Sequence, residues 1–136
     1  MEKEKTFLTE EQEKILKLRS QGLTQAKIAE RLNTSRSNIC SLEKRARKNI
    51  EKAKKTIKLA KKIQSPVTLT INANEDILNS VKKLFSRANE ENIHVALDTP
   101  ELISKIKNEA DEKLEGRRAI KKIELSLTSE GGVIIS

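Results

Sequence analysis

The sequence predicts an α+β protein, with an N-terminal helix-turn-helix domain that has a long third helix, followed by a small α/β domain. Three observations lead to this prediction. Apolar residues recur at helical spacing before Pro66, apolar and hydroxyl residues alternate after it, and the charge divides there. Residues 1–65 hold 18 Lys and Arg against 8 Asp and Glu, whereas residues 66–136 hold 10 against 12. We therefore place two domains at 1–65 and 66–136.

The first predicted helix begins after Thr9, whose hydroxyl can cap free backbone amides. Gln12 stands three residues later, as in a capping box. Ile15, Leu16 and Leu18 supply its apolar side, and Gly22 is suited to end it in a left-handed conformation. These signals place one amphipathic helix between Thr9 and Gly22.

Two further helices are predicted on either side of a short turn. Thr24 can cap the first and Ser35 the second, and Asn33 tolerates the left-handed backbone of a tight turn. The residues expected to face inward are Ile28, Ala29, Leu32, Ile39, Leu42 and Ala46. Two helices joined by a turn of three to four residues form a helix-turn-helix. A plain helical hairpin shares part of this pattern, but spacing, caps and charge together favour the DNA-binding motif.

Residues 47–62 extend the third helix with many lysines. Ile50, Ala53, Ile57 and Ala60 form one narrow apolar stripe along it. This stripe either packs on its own domain or pairs with the same helix of a second chain, and the lysines either face a polyanion or are simply solvated. Because two of the stripe residues are alanines, dimerisation through this helix alone would be weak.

The C-terminal part predicts a small α/β sandwich with helices on one or both faces of a sheet. We expect strands at 67–71, 93–97, about 120–128 and 133–135, with helices at about 75–90 and about 100–114. Thr99 should cap the second of these helices, with Pro100 at its first position and Gly116 as its stop. A Gly-Gly pair at 131–132 should turn the chain into the last strand.

Composition excludes several classes of protein. A single cysteine, Cys40, allows no intrachain disulfide, and with the single histidine, His94, it cannot form the usual zinc clusters. Two phenylalanines are the only aromatic residues, so RNA modules that stack bases on several aromatics are not expected. No apolar run could span a bilayer and the charged N-terminus lacks a signal core, so we expect a cytoplasmic protein without membrane, metal or cofactor.

One stretch carries a resemblance to a known family. It contains Leu8, Thr9 and Gln12, then Gly22-Leu23-Thr24-Gln25, Ile28-Ala29, Thr34-Ser35-Arg36, Asn38-Ile39 and Asn49-Ile50-Glu51-Lys52-Ala53. Residues 8–62 resemble the N-terminal domain of the archaeal Tfx family of DNA-binding proteins, and more loosely the promoter-reading domain of sigma factors. The helix-turn-helix alone is shared by many families, whereas its extension and the α/β remainder favour Tfx. The resemblance implies an archaeal transcription regulator that binds double-stranded DNA.

Helical geometry selects candidate base-reading residues without that resemblance. The stripe of Ile39, Leu42 and Ala46 faces inward, so the other side of the third helix is free. The first turns of such a helix reach base edges in the major groove. The predicted base-reading residues are Arg36, Ser37, Asn38 and Ser41. Arg36 suits a guanine and Asn38 an adenine; the alternatives are a phosphate clamp for Arg36 and simple solvation for the two serines.

Phosphate contacts are expected beside these residues. The basic half of the chain favours a polyanion, with nucleic acid the first candidate and an acidic membrane surface the second. Lys44, Arg45 and Lys48 lie farther along the third helix, where phosphates are near. Thr24 and Gln25 begin the preceding helix, whose free amides and Gln25 side chain can hold a phosphate.

No catalytic constellation is visible, so we expect a protein that is not an enzyme. The sequence has no P-loop, no dinucleotide-binding turn and no nucleophile with a base partner. His94 is expected on the polar side of a strand, and Cys40 is favoured as a small residue beside the groove over an oxidant sensor.

The preferred hypothesis is a sequence-specific transcription regulator. We expect a homodimer held mainly through residues 66–136, because the near-neutral domain ends in VIIS, an apolar edge strand that invites pairing. The same domain could instead sense an unidentified small-molecule effector. Two alternatives stay open: a small α/β ligand-binding protein or enzyme whose basic head only localises it to nucleic acid, and a general chromatin binder.

Overall fold

The computed structural model describes residues 4–136, and its contacts divide the chain into two compact units, Met1–Ile57 and Lys58–Ser136. The first unit is helical. Its helices are α1 (Glu10–Ser20), α2 (Gln25–Arg31) and α3 (Arg36–Ile63). The long third helix is confirmed, with 28 residues, of which 58–63 belong to the second unit.

The second unit combines short strands with two helices. In chain order its elements are β1 (Val67–Ile71), α4 (Ile77–Glu90), α5 (Thr99–Glu109), a 3-10 turn (Asp111–Lys113), β2 (Leu114–Glu115), β3 (Arg118–Ala119), β4 (Ile123–Leu127) and β5 (Val133–Ile135). The main sheet has the strand order β1-β4-β5 and is antiparallel throughout, and β2 and β3 form a separate two-stranded ribbon. The predicted α+β class, with a small α/β unit after a helical one, is confirmed.

The core of the second unit lies between the sheet and its helices. In the β1–β4 pair, Val67 lies opposite Leu127 and Ile71 opposite Ile123, and all four side chains are buried. Since alternate residues of a strand point to one face, this register collects the apolar residues of both strands on one side. Val81, Leu84, Leu102 and Ile106 of α4 and α5 belong to the same buried cluster.

The predicted start and stop of α1 are confirmed. The Thr9 hydroxyl accepts a hydrogen bond from the Gln12 amide at 3.1 Å, and the Gln12 side chain accepts one from the Thr9 amide at 3.1 Å. This reciprocal pair satisfies amides that have no partner inside the helix. Beyond the helix, Gly22 has φ +90°, a left-handed value that glycine adopts without strain.

The predicted strand at 93–97 is wrong, since these residues form no strand. The Ala96 amide donates a hydrogen bond to the Gly131 carbonyl at 2.9 Å, but Gly131 lies in the turn between β4 and β5. Val95 is buried while its neighbours His94 and Ala96 are exposed. The alternating pattern therefore reflected burial, which a segment can achieve without a partner strand.

The predicted limits of α5 also need correction. Its N-cap is Asp98 and not Thr99: the Asp98 carboxylate accepts from the Glu101 amide at 2.9 Å, and Thr99 is already helical. The reason is that a carboxylate one residue earlier completes a capping box with Glu101. The helix ends at Glu109 and not near 114, and Gly116, at φ +62°, lies between β2 and β3.

The long strand expected at about 120–128 is shorter and begins at Ile123. Ile120 and Lys121 do not belong to it, because their amides donate to the Lys113 carbonyl, at 2.8 and 3.4 Å, beside the β2–β3 ribbon. The strand at 133–135 and the turn before it are confirmed, and β5 lies at an edge of the sheet.

Candidate nucleic-acid interface

Helices α2 and α3 form a helix-turn-helix whose ends are fixed by local hydrogen bonds. The Thr24 hydroxyl accepts from the Lys27 amide at 3.2 Å, and the Ser35 hydroxyl accepts from the Asn38 amide at 3.0 Å. Between the helices, Asn33 has φ +55°. All three features agree with the predicted caps and turn, and they set the point at which α3 begins.

A small aliphatic core holds the three helices of this unit together. Ile15, Ile28, Ala29 and Ile39 are buried, and Leu18, Leu23, Leu32 and Leu42 pack against them partly buried. Ala29 is small, which lets two helix backbones approach closely. This packing fixes which side of α3 is left exposed.

Several predicted contact residues meet on that exposed side. Arg36, Ser37 and Ser41, predicted to read bases, and Gln25 and Lys44, predicted to contact phosphate, line one surface depression together with Cys40. The free Cys40 is exposed there. The geometry thus brings five of the nine predicted residues together around the first turns of α3.

The other predicted residues lie nearby but are arranged differently. The Asn38 side chain is exposed, and its amide nitrogen donates to the Thr34 hydroxyl at 3.0 Å. Arg45 and Lys48 are exposed farther along α3, and Thr24 is occupied as the cap of α2. Asn38 can therefore offer both amide atoms to a base only after its bond to Thr34 opens.

A buried carboxylate behind this surface was missed by the sequence reasoning. Glu43 has 6% of its surface exposed. Its Oε1 accepts a hydrogen bond from the Gln25 side chain at 3.1 Å, and its Oε2 accepts one from Arg47 Nε at 2.8 Å. Arg19 Nε lies 3.0 Å from Oε1. One carboxylate therefore joins α1, α2 and α3. The i,i+4 spacing of Glu43 and Arg47 was the only local signal, since Arg19 and Gln25 are distant in sequence.

The environment of Glu43 favours its charged form. Burial by itself raises the pKa of this carboxyl, but the hydrogen bonds from Gln25 and Arg47 and the positive charges of Arg19 and Arg47 lower it further than burial raises it. The pKa of Glu43 thus lies below its ordinary value. Arg19 is held in addition by a hydrogen bond from Nη1 to the Leu23 carbonyl at 3.0 Å.

The apolar stripe of α3 is only partly covered within the first unit. Ile50 and Ala53 are half-buried and line a groove with residues 5–8, whereas Ile57 is 57% exposed. The Asn49 side chain donates to the Phe7 carbonyl at 3.1 Å, which holds the segment before α1 against α3. The stripe therefore packs on its own unit at one end and is open at the other.

The described part of the chain was also searched for a metal site and for a membrane-spanning helix. Residues 4–136 contain no group of three or more His, Cys, Asp or Glu side chains that could hold a metal ion. Within the same residues, no helix is long and apolar enough to cross a membrane. His94 is exposed.

The fold and the exposed basic surface are those of helix-turn-helix DNA-binding proteins, here with an α/β unit after the helices. Comparison with known families identifies the particular family. Residues 7–52 match the family described as "Sigma-70, region 4". Residues 53–135 match the family described as "DNA_binding protein, TFX, C-term".

Relatives of nearly equal length agree with both matches. The DNA-binding protein Tfx of Methanothermobacter thermautotrophicus is 34% identical over 131 residues, which are 96% of this chain and 95% of that protein. A Methanocaldococcus jannaschii protein named "Putative transcriptional regulatory protein" is 44% identical over 128 residues, which are 94% of this chain and 93% of that protein. The chain belongs to the Tfx family of DNA-binding transcriptional regulators.

Proposed function

We propose that the protein is a sequence-specific transcription regulator that reads double-stranded DNA by placing the start of α3 in the major groove. The observation that carries this proposal is the surface depression at the first turns of α3, where Arg36, Ser37, Ser41 and Lys44 lie together. Hydrogen-bond donors and acceptors there can face base edges while a lysine faces the backbone.

Each base-reading residue has a role that follows from its chemistry. The planar guanidinium of Arg36 can bond O6 and N7 of a guanine at once. Ser37 and Ser41 are four residues apart, so they share a face of α3 and contact neighbouring positions in the groove. Asn38 reads an adenine when its side chain leaves Thr34, and that lost hydrogen bond reduces the net gain.

Phosphate contacts fix the orientation of the head on the duplex. Lys44, Arg45 and Lys48 are exposed along α3 beyond the base-reading turns. The side-chain nitrogen of Gln25 already donates to Glu43. Until that hydrogen bond opens, a phosphate at the start of α2 would be held by the free backbone amides near Thr24. Lys44, Arg45 and Lys48 therefore make the side-chain phosphate contacts in this proposal, and each contributes affinity that falls as salt rises.

The two halves of the chain have separate roles in this proposal. Residues 1–65 form the DNA-binding domain, and residues 66–136 hold two copies together as a homodimer, so that paired heads read two half-sites. The second unit also has a cleft of about 660 Å³, lined by Lys61, Gln64, Lys105 and Ser129 among others, where a small-molecule effector would bind.

Selection of bound duplexes from a random library tests the proposal. We expect the full chain to enrich one motif with two-fold symmetry, since two identical heads face the DNA. A control chain with Lys44, Arg45 and Lys48 intact but Arg36→Ala, Ser37→Ala and Ser41→Ala should still bind DNA and should enrich a much weaker motif. Enrichment of no motif by the unchanged chain would contradict sequence-specific binding.

A further inference from the structure

The main sheet of the second unit has two edges, β1 and β5, and the hydrogen bonds show which backbone groups point outward at each. At β5, Ser136 and Glu124 exchange two bonds of 3.0 and 2.8 Å, and the Thr128 amide donates to Gly132 at 2.8 Å. Alternate residues of an antiparallel strand bond to opposite sides. Val133 and Ile135 therefore direct their backbone groups away from β4.

Both outward carbonyls of β5 are occupied by lysines of the same unit. Lys105 Nζ donates to the Val133 carbonyl at 2.8 Å, and Lys58 Nζ donates to the Ile135 carbonyl at 3.0 Å. Lysines at an edge strand are a common protection against pairing with another chain. The edge at β5, which the sequence suggested for dimerisation, is therefore guarded.

The β1 edge has no such protection. Since Glu124 and Ser126 face β5, the alternation places Val67, Leu69 and Ile71 toward β4 and leaves Thr68 and Thr70 pointing outward. Both threonines are exposed. In the described part of the chain, no side chain is bonded to the outward backbone groups of these two residues.

The sequence around β1 is also free of charge. Residues 63–74 contain no Asp, Glu, Lys or Arg, and this is the longest uncharged stretch in a chain in which 35% of residues are charged. Two copies of this strand would meet without the repulsion that two copies of the lysine-rich α3 would suffer. Threonine and the aliphatic residues of β1 also favour extended pairing.

We propose that a second copy of this chain docks on the β1 edge, so that two antiparallel β1 strands related by a two-fold axis join the sheets of two subunits. With Leu69 at the axis, Thr68 of each chain lies opposite Thr70 of the partner subunit and exchanges both backbone hydrogen bonds with it. This register uses the outward groups of both threonines. The β1 edge would then be the contact surface of the proposed homodimer. This inference rests on the proposed function only for the two-fold symmetry of the dimer.

Sedimentation of the full chain tests the surface. We expect a dimer at micromolar concentration, and we expect the double variant Thr68→Lys/Thr70→Lys to raise the dimer dissociation constant at least tenfold, because lysines would then face each other across the pair. The control Ser86→Lys/Asn89→Lys adds the same charge on exposed positions of α4 and should leave the constant unchanged. A monomeric unchanged chain, or a threonine variant that dimerises normally, overturns the proposal.

A cross-link tests the register and does not depend on how well the lysine variant folds. Opposed residues in a non-hydrogen-bonded pair have Cα atoms about 4.5 Å apart, within disulfide range. In a Cys40→Ser background, Leu69→Cys should give a disulfide-linked dimer under mild oxidation, whereas Ser86→Cys should not. Absence of the Leu69→Cys dimer, or equal linking of both variants, overturns the register.

Failure of this inference differs from failure of the proposed function. A chain that enriches a DNA motif but does not pair through β1 contradicts only the dimer surface. A chain that links through Leu69→Cys but enriches no motif contradicts only the sequence-specific function.

Discussion

The two compact units bury very different amounts of aliphatic side chain. Among residues 4–136, the cluster of the first unit has four buried members, whereas that of the second has sixteen. The first unit adds a buried ionic group, Glu43, where the second has more apolar contacts. The surface that we propose binds DNA thus rests on a small core, and the stability of its unit depends on capping, on charge and on a few aliphatic contacts.

The largest effect should come from a cavity in the smaller core. Ile28→Ala and Leu84→Ala each remove a fully buried side chain, and each should cost about 2–5 kcal/mol. Because Ile28 is one of four buried cluster members, its loss should unfold the first unit, while the second unit keeps its structure in Leu84→Ala. Hydrogen exchange followed by mass spectrometry resolves the two units. If the second unit of Leu84→Ala lost more protection than the first unit of Ile28→Ala, the first unit would not be the less stable of the two.

A second effect concerns two glycines of the larger unit that both have positive φ. A Cβ at Gly131, φ +92°, would overlap the His94 carbonyl oxygen, whereas a Cβ at Gly116, φ +62°, would meet no atom within 4 Å. We expect Gly131→Ala to cost about 3 kcal/mol or more and Gly116→Ala about 1 kcal/mol. Urea unfolding measures both. Equal costs would show that the segment at 93–97 does not pack closely on the β4–β5 turn.

Loss of the buried carboxylate should have an intermediate effect in the smaller unit. Glu43→Gln removes the negative charge between Arg19 and Arg47, and we expect a cost of about 1–3 kcal/mol at pH 7. Glu51→Gln, exposed on the same helix, is the control and should change stability by less than about 0.5 kcal/mol. Similar unfolding free energies for the two variants would mean that Glu43 does not hold the three helices together.

The same carboxylate predicts a dependence on pH. Because the pKa of Glu43 is lowered in the folded state, its contribution is fully present above the ordinary glutamate pKa of about 4.3 and is lost as the pH falls through the folded value. The stability difference between the unchanged chain and Glu43→Gln should therefore shrink below about pH 4. Unfolding measured at pH 7 and at pH 3 tests this, and a difference that stays constant would contradict it.

The smallest effects should come from the capping boxes, one of which begins a helix in each unit. Thr9 and Asp98 each complete a capping box, and Thr9→Ala or Asp98→Ala should cost about 1 kcal/mol. The same loss should lower the melting temperature of the first unit more, since its core is smaller. Equal shifts for the two units would weaken the comparison of their stability.

Local signals predicted much of the fold. Thr9, Gly22 and Asn33 set helix ends through their own hydrogen bonds or backbone angles, so a short stretch of sequence was sufficient. The strand at 93–97 could not be rejected in this way, because a strand needs a partner that alternation does not identify. The Glu43 cluster was missed for a similar reason, since Arg19 and Gln25 reach it from other helices.

The candidate site shows the same limit. Ser37 and Ser41 could be placed on one face from helical periodicity, and Arg36 was added because it lies in the first turn of α3. The structure has all three on one surface. The bond from Asn38 to Thr34 and the bond from Gln25 to Glu43 depend on side-chain positions that no spacing rule gives. Both bonds must open before those side chains can make the DNA contacts that we propose for them.

The base-reading role of the start of α3 is tested most directly by comparing the base preferences of Arg36→Ala and Lys44→Ala. Each variant is measured on duplexes that vary one position of the selected motif. We predict that Arg36→Ala loses about 1–3 kcal/mol of discrimination at one base position, and that Lys44→Ala weakens binding to all duplexes alike and reduces its salt dependence. Uniform weakening by Arg36→Ala, with every base preference unchanged, would contradict a base-reading role for the start of α3.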